Sequence, residues 1–183
     1  MGRRQSIDRN KVLDAAEQVV TQKGVGGLTI DAVARASGIS KGGVQYAFGS
    51  KDDLIAAMID RWEGEFDAEV AELGKGDSSI AGGIRAHAEA TRDFDGSSVD
   101  RAAVMLAALV QNKDRLAKTR AWYEARLAQI DGSSEAGRRL RLAFLAAEGA
   151  FMLRSFGFLP MTNEQWDQVF DDILGLIGQG EEG

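Results

Sequence analysis

The chain contains no cysteine, a single histidine (His87) and a single proline (Pro160) among its 183 residues. Without cysteine there is no disulfide and no thiolate metal site, and the cytoplasm is the expected compartment. One histidine excludes a multi-histidine metal centre and a Cys–His pair, so neither a metal nor a cofactor is expected. His87 lies mid-helix in GIRAHAEATRDF, away from any nucleophile turn, and no catalytic residue is expected. Neither G-x-x-x-x-G-K-[ST] nor a G-x-G-x-x-G opening a helix after a strand is present. No apolar run approaches the ~20 residues that span a bilayer. The opening MGRRQSIDRNK lacks the apolar stretch that follows the basic residues of a secretory signal, so no membrane partner is expected. The rarity of proline suits long helices, and no stretch sustains strand alternation, so the fold class is all-α with about nine helices.

What remains is ordinary in amount and uneven in distribution. Hydrophobic residues make up 44% and charged residues 27%, as in a globular chain with a sizeable core. The formal net charge of −6 argues against an anionic partner until it is divided along the chain. Residues 1–51 carry 8 Lys and Arg against 4 Asp and Glu, whereas residues 52–183 carry 14 against 24. A basic first quarter on an acidic body suggests an anion-binding head, because local potential governs encounter with DNA over a Debye length of about 8–10 Å.

Residues 8–23 place Val12, Leu13, Ala16, Val19 and Val20 at helical spacing, and Gly24, Gly26 and Gly27 end that helix. Thr29 is positioned to cap a short helix, TIDAVARAS, with Ala32, Val33 and Ala36 on its inner face. Gly38 supplies a sharp turn, Ile39 plugs the gap between helices, and Ser40 caps KGGVQYAF, anchored by Val44 and Phe48. Helix, short glycine turn, cap and helix is the plan of a helix-turn-helix. Gly42 and Gly43 each cost about 1 kcal/mol relative to alanine inside a helix. Either they let bare backbone approach a phosphate or base edge, or the segment is a glycine loop; the capped flanks favour the helix.

Ser50 and Asp53 form a capping-box pattern that opens a helix over 52–73, about 33 Å long at 1.5 Å per residue. It joins a head, residues 1–51, to a body, residues 52–183, with no linker. GKGDSS at 74–79 is a turn, and further helices are predicted at roughly 79–94, 98–111, 114–130, 134–157 and 163–178. DGSS recurs at 95–98 and 131–134 as similar turn chemistry, and Thr162 with Gln165 starts the last helix.

The run TIDAVARASGISKGGVQYAFGSKDDL, Thr29 to Leu54, resembles the N-terminal DNA-binding domain of the TetR family of transcriptional regulators. That pattern is a Thr-led helix followed by A-G-V-S-x-G-x-[LI]-Y-x-[HY]-F-x-S-K-x-x-L. The resemblance covers about residues 8–56, and beyond it the chain is similar to the family only in helix count and length. Three positions depart from the pattern: Gln45 stands where Tyr is usual, Ala47 replaces an aromatic or histidine, and Gly49 replaces a frequent Pro or Lys. Gln45 and the following Tyr46 are both candidates for the usual tyrosine's role.

The resemblance implies a dimeric repressor that a small molecule releases from a pseudo-palindromic DNA operator. On a helix-turn-helix plan the second helix enters the major groove. Thr29 and Ser40 then bring helix N-termini to phosphates, and Lys41 and Lys51 supply charge. Tyr46 bonds a phosphate, and Lys41, Gly42, Gly43 and Gln45 are the groups able to reach base edges. Arg3 and Arg4 form an arm that tracks phosphates or enters a minor groove, or else a plain tail. Candidate walls of a pocket for a mostly apolar effector are His87, Phe94, Met105, Trp122, Tyr123, Phe144, Phe151 and Met152, each of which can equally be core. The expected homodimer surface is the last two helices, with Leu140, Phe144, Ala147, Phe151, Trp166, Phe170, Ile173 and Ile177, although an intramolecular core has the same pattern. The rival reading of the whole is a helical adaptor whose head binds protein.

Overall fold

The computed structural model describes residues 7–93, 102, 105–107, 109, 110 and 112–178. Eight helices run in order: α1 (Arg9–Gly27), α2 (Ile30–Ser37), α3 (Lys41–Phe48), α4 (Lys51–Leu73), α5 (Ile80–Arg92), α6 (Lys113–Ala128), α7 (Glu135–Ser155) and α8 (Asn163–Gly178). Described residues from Ala102 to Val110 are also helical, giving nine helical segments and no strand among the described residues. The fold is all-α.

Two apolar clusters organise the chain. The first joins α1, α2 and α3 to the opening of α4, with Val12, Ala16, Val33, Val44, Leu54 and Met58 fully covered. The second joins α5, α7 and α8 around Ile84, Ala88, Phe144, Ala147 and Phe170. Trp62 of α4 packs against both, so one helix carries the two halves.

The turns follow from their residues. Gly24 breaks α1 at φ 66°, and the helix resumes as far as Gly27. Thr29 Oγ1 accepts from the Ala32 amide at 3.1 Å. Gly38 adopts the left-handed conformation at φ 69° that ends α2. Ser37 is buried there; its hydroxyl donates to the Ala34 carbonyl and accepts from the Ile39 amide, both at 3.3 Å. Ala36, expected on the inner face, is exposed, because the inward stripe runs from Ala32 and Val33 to Ser37. Ser50 and Asp53 complete the reciprocal capping box of α4.

The seam between α7 and α8 holds the residues expected at the dimer surface. Phe144, Ala147, Phe151, Trp166, Phe170, Ile173 and Ile177 are all buried in the chain's own core, and Leu140 packs against it half-buried. Their side chains serve the chain's own core, the alternative that the same apolar pattern allows. The apolar side chains that α7 leaves outside are Leu142, Leu145, Met152 and Leu153, followed by Phe156, Phe158 and Leu159.

Candidate nucleic-acid interface and ligand cavity

The head presents α3 by its N-terminus and one side. Val44 and Phe48, four residues apart, anchor it inward. Lys41, Gly42, Gln45 and Tyr46 are exposed, and Tyr46 is 84% exposed. Ser40 Oγ accepts from the Gly43 amide at 3.1 Å. Arg9 of α1 fixes the far end: its guanidinium donates to the Ala47 carbonyl and lies 4.2 Å from the centroid of the Phe48 ring. The side chain of Ala47 is half-buried, which accounts for a small residue there. Gly49 has φ 72°, a conformation that proline cannot adopt, so this turn leaves α3 differently from the family pattern.

The two glycines have different reasons. A Cβ on Gly43 meets Ile39 Cγ2 at 2.7 Å and Ile7 Cδ1 at 3.2 Å, whereas a Cβ on Gly42 meets nothing within 4 Å. Gly43 is therefore required where α3 closes on Ile39, and it faces the head's own interior rather than outward. Gly42 alone leaves backbone bare on the outside. Gly43→Ala is expected to destabilise the head, by about 1–3 kcal/mol for an overpacked site. Gly42→Ala is expected to stabilise it by up to about 1 kcal/mol. Thermal unfolding of the two variants checks this, and equal shifts would refute the distinction.

Lys41 is not a bare cation. Its Nζ lies 3.1 Å from Asp31 in α2, an exposed pair that binds weakly and exchanges readily. Lys51 is half-buried at the first turn of α4, and Thr29 is exposed at the start of α2. Arg3 and Arg4 lie outside the described residues.

In the body, α4, α5, α6 and α7, with Leu106 and Leu109, line a partly open cavity of about 370 Å³. His87, Trp122, Tyr123 and Phe151, four of the candidate pocket walls, line it. Three expectations change. Met105 packs into the head-side cluster instead, Phe144 lies fully buried behind His87 with ring centroids 5.2 Å apart, and Met152 turns outward at 39% exposure. Phe94 lies outside the described residues. The sequence reading missed Trp62, Glu63 and Phe66 on α4, Thr91 on α5 and Glu148 on α7. It also missed Arg115, Lys118 and Thr119, one wall of α6. The available signal was spacing: Trp62 with Phe66, His87 with Thr91 and Phe144 with Glu148 are each four apart, on one helix face.

A buried polar group lies among these rings. His87 Nε2 donates to Glu148 Oε1 at 2.7 Å, and the Tyr123 hydroxyl donates to Oε2 at 2.6 Å. Burial, reinforced by the charge of Glu148, raises the Tyr123 phenol far above its ordinary range, so it stays a donor. At the rim, Arg115 donates to Asp60 at 2.6 Å and to the Ala56 carbonyl at 2.8 Å. Partial burial raises the Glu63 carboxyl, and Arg115 partly offsets the shift. No group of His, Cys, Asp and Glu suited to a metal occurs among the described residues, and none of their helices is long and apolar enough to cross a membrane.

Residues 12–58 match the family described as bacterial regulatory proteins, tetR family. Residues 82–178, more than half of the chain, match the tetracyclin repressor-like C-terminal domain. No curated protein matches the chain. Among solved structures, a TetR-like transcriptional regulator from Rhodococcus sp. RHA1 is 22% identical over 100% of both chains, with a TM-score of 0.68. A second transcriptional regulator from the same Rhodococcus is 21% identical over 95% of this chain and 97% of its own, with a TM-score of 0.68. The multidrug binding protein EbrR, complexed with malachite green, is 22% identical over 92% of this chain and 96% of its own, with a TM-score of 0.64. These three likenesses speak for the fold alone. With both parts of the chain matched, this protein belongs to the TetR family and is a DNA-binding transcriptional regulator.

Proposed function

We propose that the protein is a dimeric repressor whose hold on its operator is released by a mostly apolar small molecule bound in the body cavity. One observation carries the DNA-binding part: α3 turns Lys41, Gly42, Gln45 and Tyr46 outward while Val44 and Phe48 hold it rigidly from within. At the start of α3 the first N–H groups have no partner inside the helix and can receive a phosphate. Lys41 then exchanges Asp31 for phosphate, Tyr46 donates to a second phosphate, and Gln45 pairs with an adenine edge. The cavity supports the ligand response, and the multidrug binding EbrR, with the same fold, is a neighbour that holds small molecules.

Selection of genomic fragments at physiological salt tests the reading directly. A recovered pseudo-palindrome supports it, whereas no salt-sensitive duplex binding would favour an adaptor head. On that site Lys41→Ala is expected to weaken binding to every sequence and to lower the slope of log affinity against log salt by about 0.9. An unchanged slope removes Lys41 from the phosphate contacts. Gln45→Ala is expected to relax preference at one base pair by about 1–3 kcal/mol, and a uniform loss would make it a backbone contact.

One head covers one half-site, so two heads about 34–36 Å apart are needed to read both. The outer stripe of α7, with Leu142, Leu145, Met152 and Leu153, is the surface assigned to the second copy. Leu145→Glu places a charge in that stripe without touching the core. It is expected to halve the mass in sedimentation and to weaken operator binding at least about tenfold, since the second half-site no longer contributes. A dimer of unchanged mass would move the interface elsewhere.

A further inference from the structure

The cavity holds more negative charge than its aromatic walls need. Four carboxylates line it, Asp60, Glu63, Asp67 and Glu148, against two cations, Arg115 and Lys118. Arg115 is divided at the rim among Asp60 at 2.6 Å, the Ala56 carbonyl at 2.8 Å and Glu63 at 3.8 Å.

Glu148 is the decisive group. Its side chain is only 14% exposed, and its two oxygens accept from His87 and Tyr123. Neither donor is a lysine or an arginine. Tyr123 is a phenol, and the His87 ring uses Nε2 toward Glu148, while its buried Nδ1 has no hydrogen-bond partner among the described residues. The carboxylate is therefore hydrogen-bonded, with no lysine or arginine paired to it among the described residues. Around it stand the faces and edges of Phe66, Trp122, Tyr123 and Phe151. Aromatic faces attract a cation through the ring quadrupole, more strongly where water is excluded. This body already shows the pairing: the Arg126 guanidinium lies 5.2 Å from the centroid of the Trp122 ring.

We infer that the cavity selects a flat, apolar organic cation, whose positive centre lies between the aromatic walls and Glu148, with Glu63 as a second anionic group at the rim. This deepens the proposed ligand response and rests on it. Glu63 shares Arg115 with Asp60 and lies 3.8 Å from it, a long pairing that an entering cation can replace; partial burial raises its carboxyl, and Arg115 partly offsets the shift. An anionic ligand would meet four carboxylates, with Arg115 already engaged and Lys118 the other cation of the lining.

Three fluorescent probes with one three-ring body test the claim: cationic N-methylacridinium, neutral 9-anthracenemethanol and anionic 9-anthracenecarboxylate. Each is titrated into the full-length protein, and release of an operator duplex is read in parallel. N-methylacridinium is expected to bind at least about tenfold more tightly than the alcohol, with the carboxylate weakest. Glu148→Gln is expected to shrink the cation's advantage to within about threefold, without a comparable change for the alcohol. Because Glu148 is buried, Glu63→Gln at the exposed rim is the second variant, expected to lower cation affinity about threefold. Equal binding of all three, or tightest binding of the carboxylate, would overturn the inference while leaving the cavity as a ligand site. If none binds and none releases the duplex, the ligand-response reading falls and takes the inference with it.

Discussion

Phe144→Ala is expected to lower stability by about 3–5 kcal/mol, the range for deleting a fully buried phenylalanine. The ring is 0% exposed and lies at the junction of α5, α6 and α7. Its centroid is 5.2 Å from that of His87, 6.1 Å from Trp122 and 6.0 Å from Tyr123. Alanine removes the floor on which the His87 imidazole rests and opens a void next to an existing cavity. His87 and Tyr123 hold hydrogen-bonded positions on Glu148, so they cannot collapse into the gap without breaking those bonds. The cost therefore belongs at the upper end of the range, where sites relax least. At about 2–4 °C per kcal/mol for a chain of this size, the melting temperature falls by roughly 10 °C or more. Ile80→Ala serves as the contrast, since Ile80 is 43% exposed, belongs to neither apolar cluster, and leaves no void when shortened. Thermal unfolding at fixed protein concentration measures both, and a shift under about 2 °C for Phe144→Ala would mean that the core does not depend on this ring.

The comparison of Phe144 with its neighbours shows where sequence is informative. Caps are local chemistry, so Thr29, Ser40 and Ser50 could be placed from a few adjacent residues, and each caps the helix it precedes. The reason for Gly43 was not local in that sense. Its missing side chain makes room for Ile39 and for Ile7, and Ile7 approaches only once α1 has packed. The same device recurs at Gly82 and Gly137. Each donates to the serine cap three residues earlier, and each would collide there with the preceding Asp77 or Asp131.

The body was harder to read because an apolar stripe has the same spacing whether it meets its own chain or a copy. Phe151 and Met152 are adjacent, yet one lines the cavity and the other faces out. Glu63 and Glu148 were unreadable for a related reason. On a single helix a carboxylate among charged residues looks solvated. Only the convergence of α4, α5, α6 and α7 turns these two toward rings.

Arg61→Ala is expected to disconnect ligand from DNA. Arg61 projects from α4 to α1, where its guanidinium meets Asp14 and Glu17, both at 2.6 Å. Its side chain is 20% exposed and that of Glu17 is 18% exposed, so solvent screens this cluster less than an open surface pair. The preceding residue, Asp60, is held from the other side by Arg115, which lines the cavity and also grips the Ala56 carbonyl. Consecutive residues of one helix thus tie the head to α4 and α4 to the cavity wall. A ligand that shifts Arg115 or Glu63 moves α4, and α1 follows only while Arg61 holds it. Coupling between two such sites is typically about 1–3 kcal/mol, or 5–150-fold in affinity. In Arg61→Ala the ratio of operator affinities without and with saturating N-methylacridinium is expected to fall to within about threefold of unity. Binding of the probe itself is expected to persist, because Arg61 does not line the cavity. Arg115→Ala should abolish the same ratio, and the double variant should add little to either single change, as for two links in one chain. An undiminished ratio in Arg61→Ala would mean that the head responds through apolar packing at Trp62 rather than through the ion pairs.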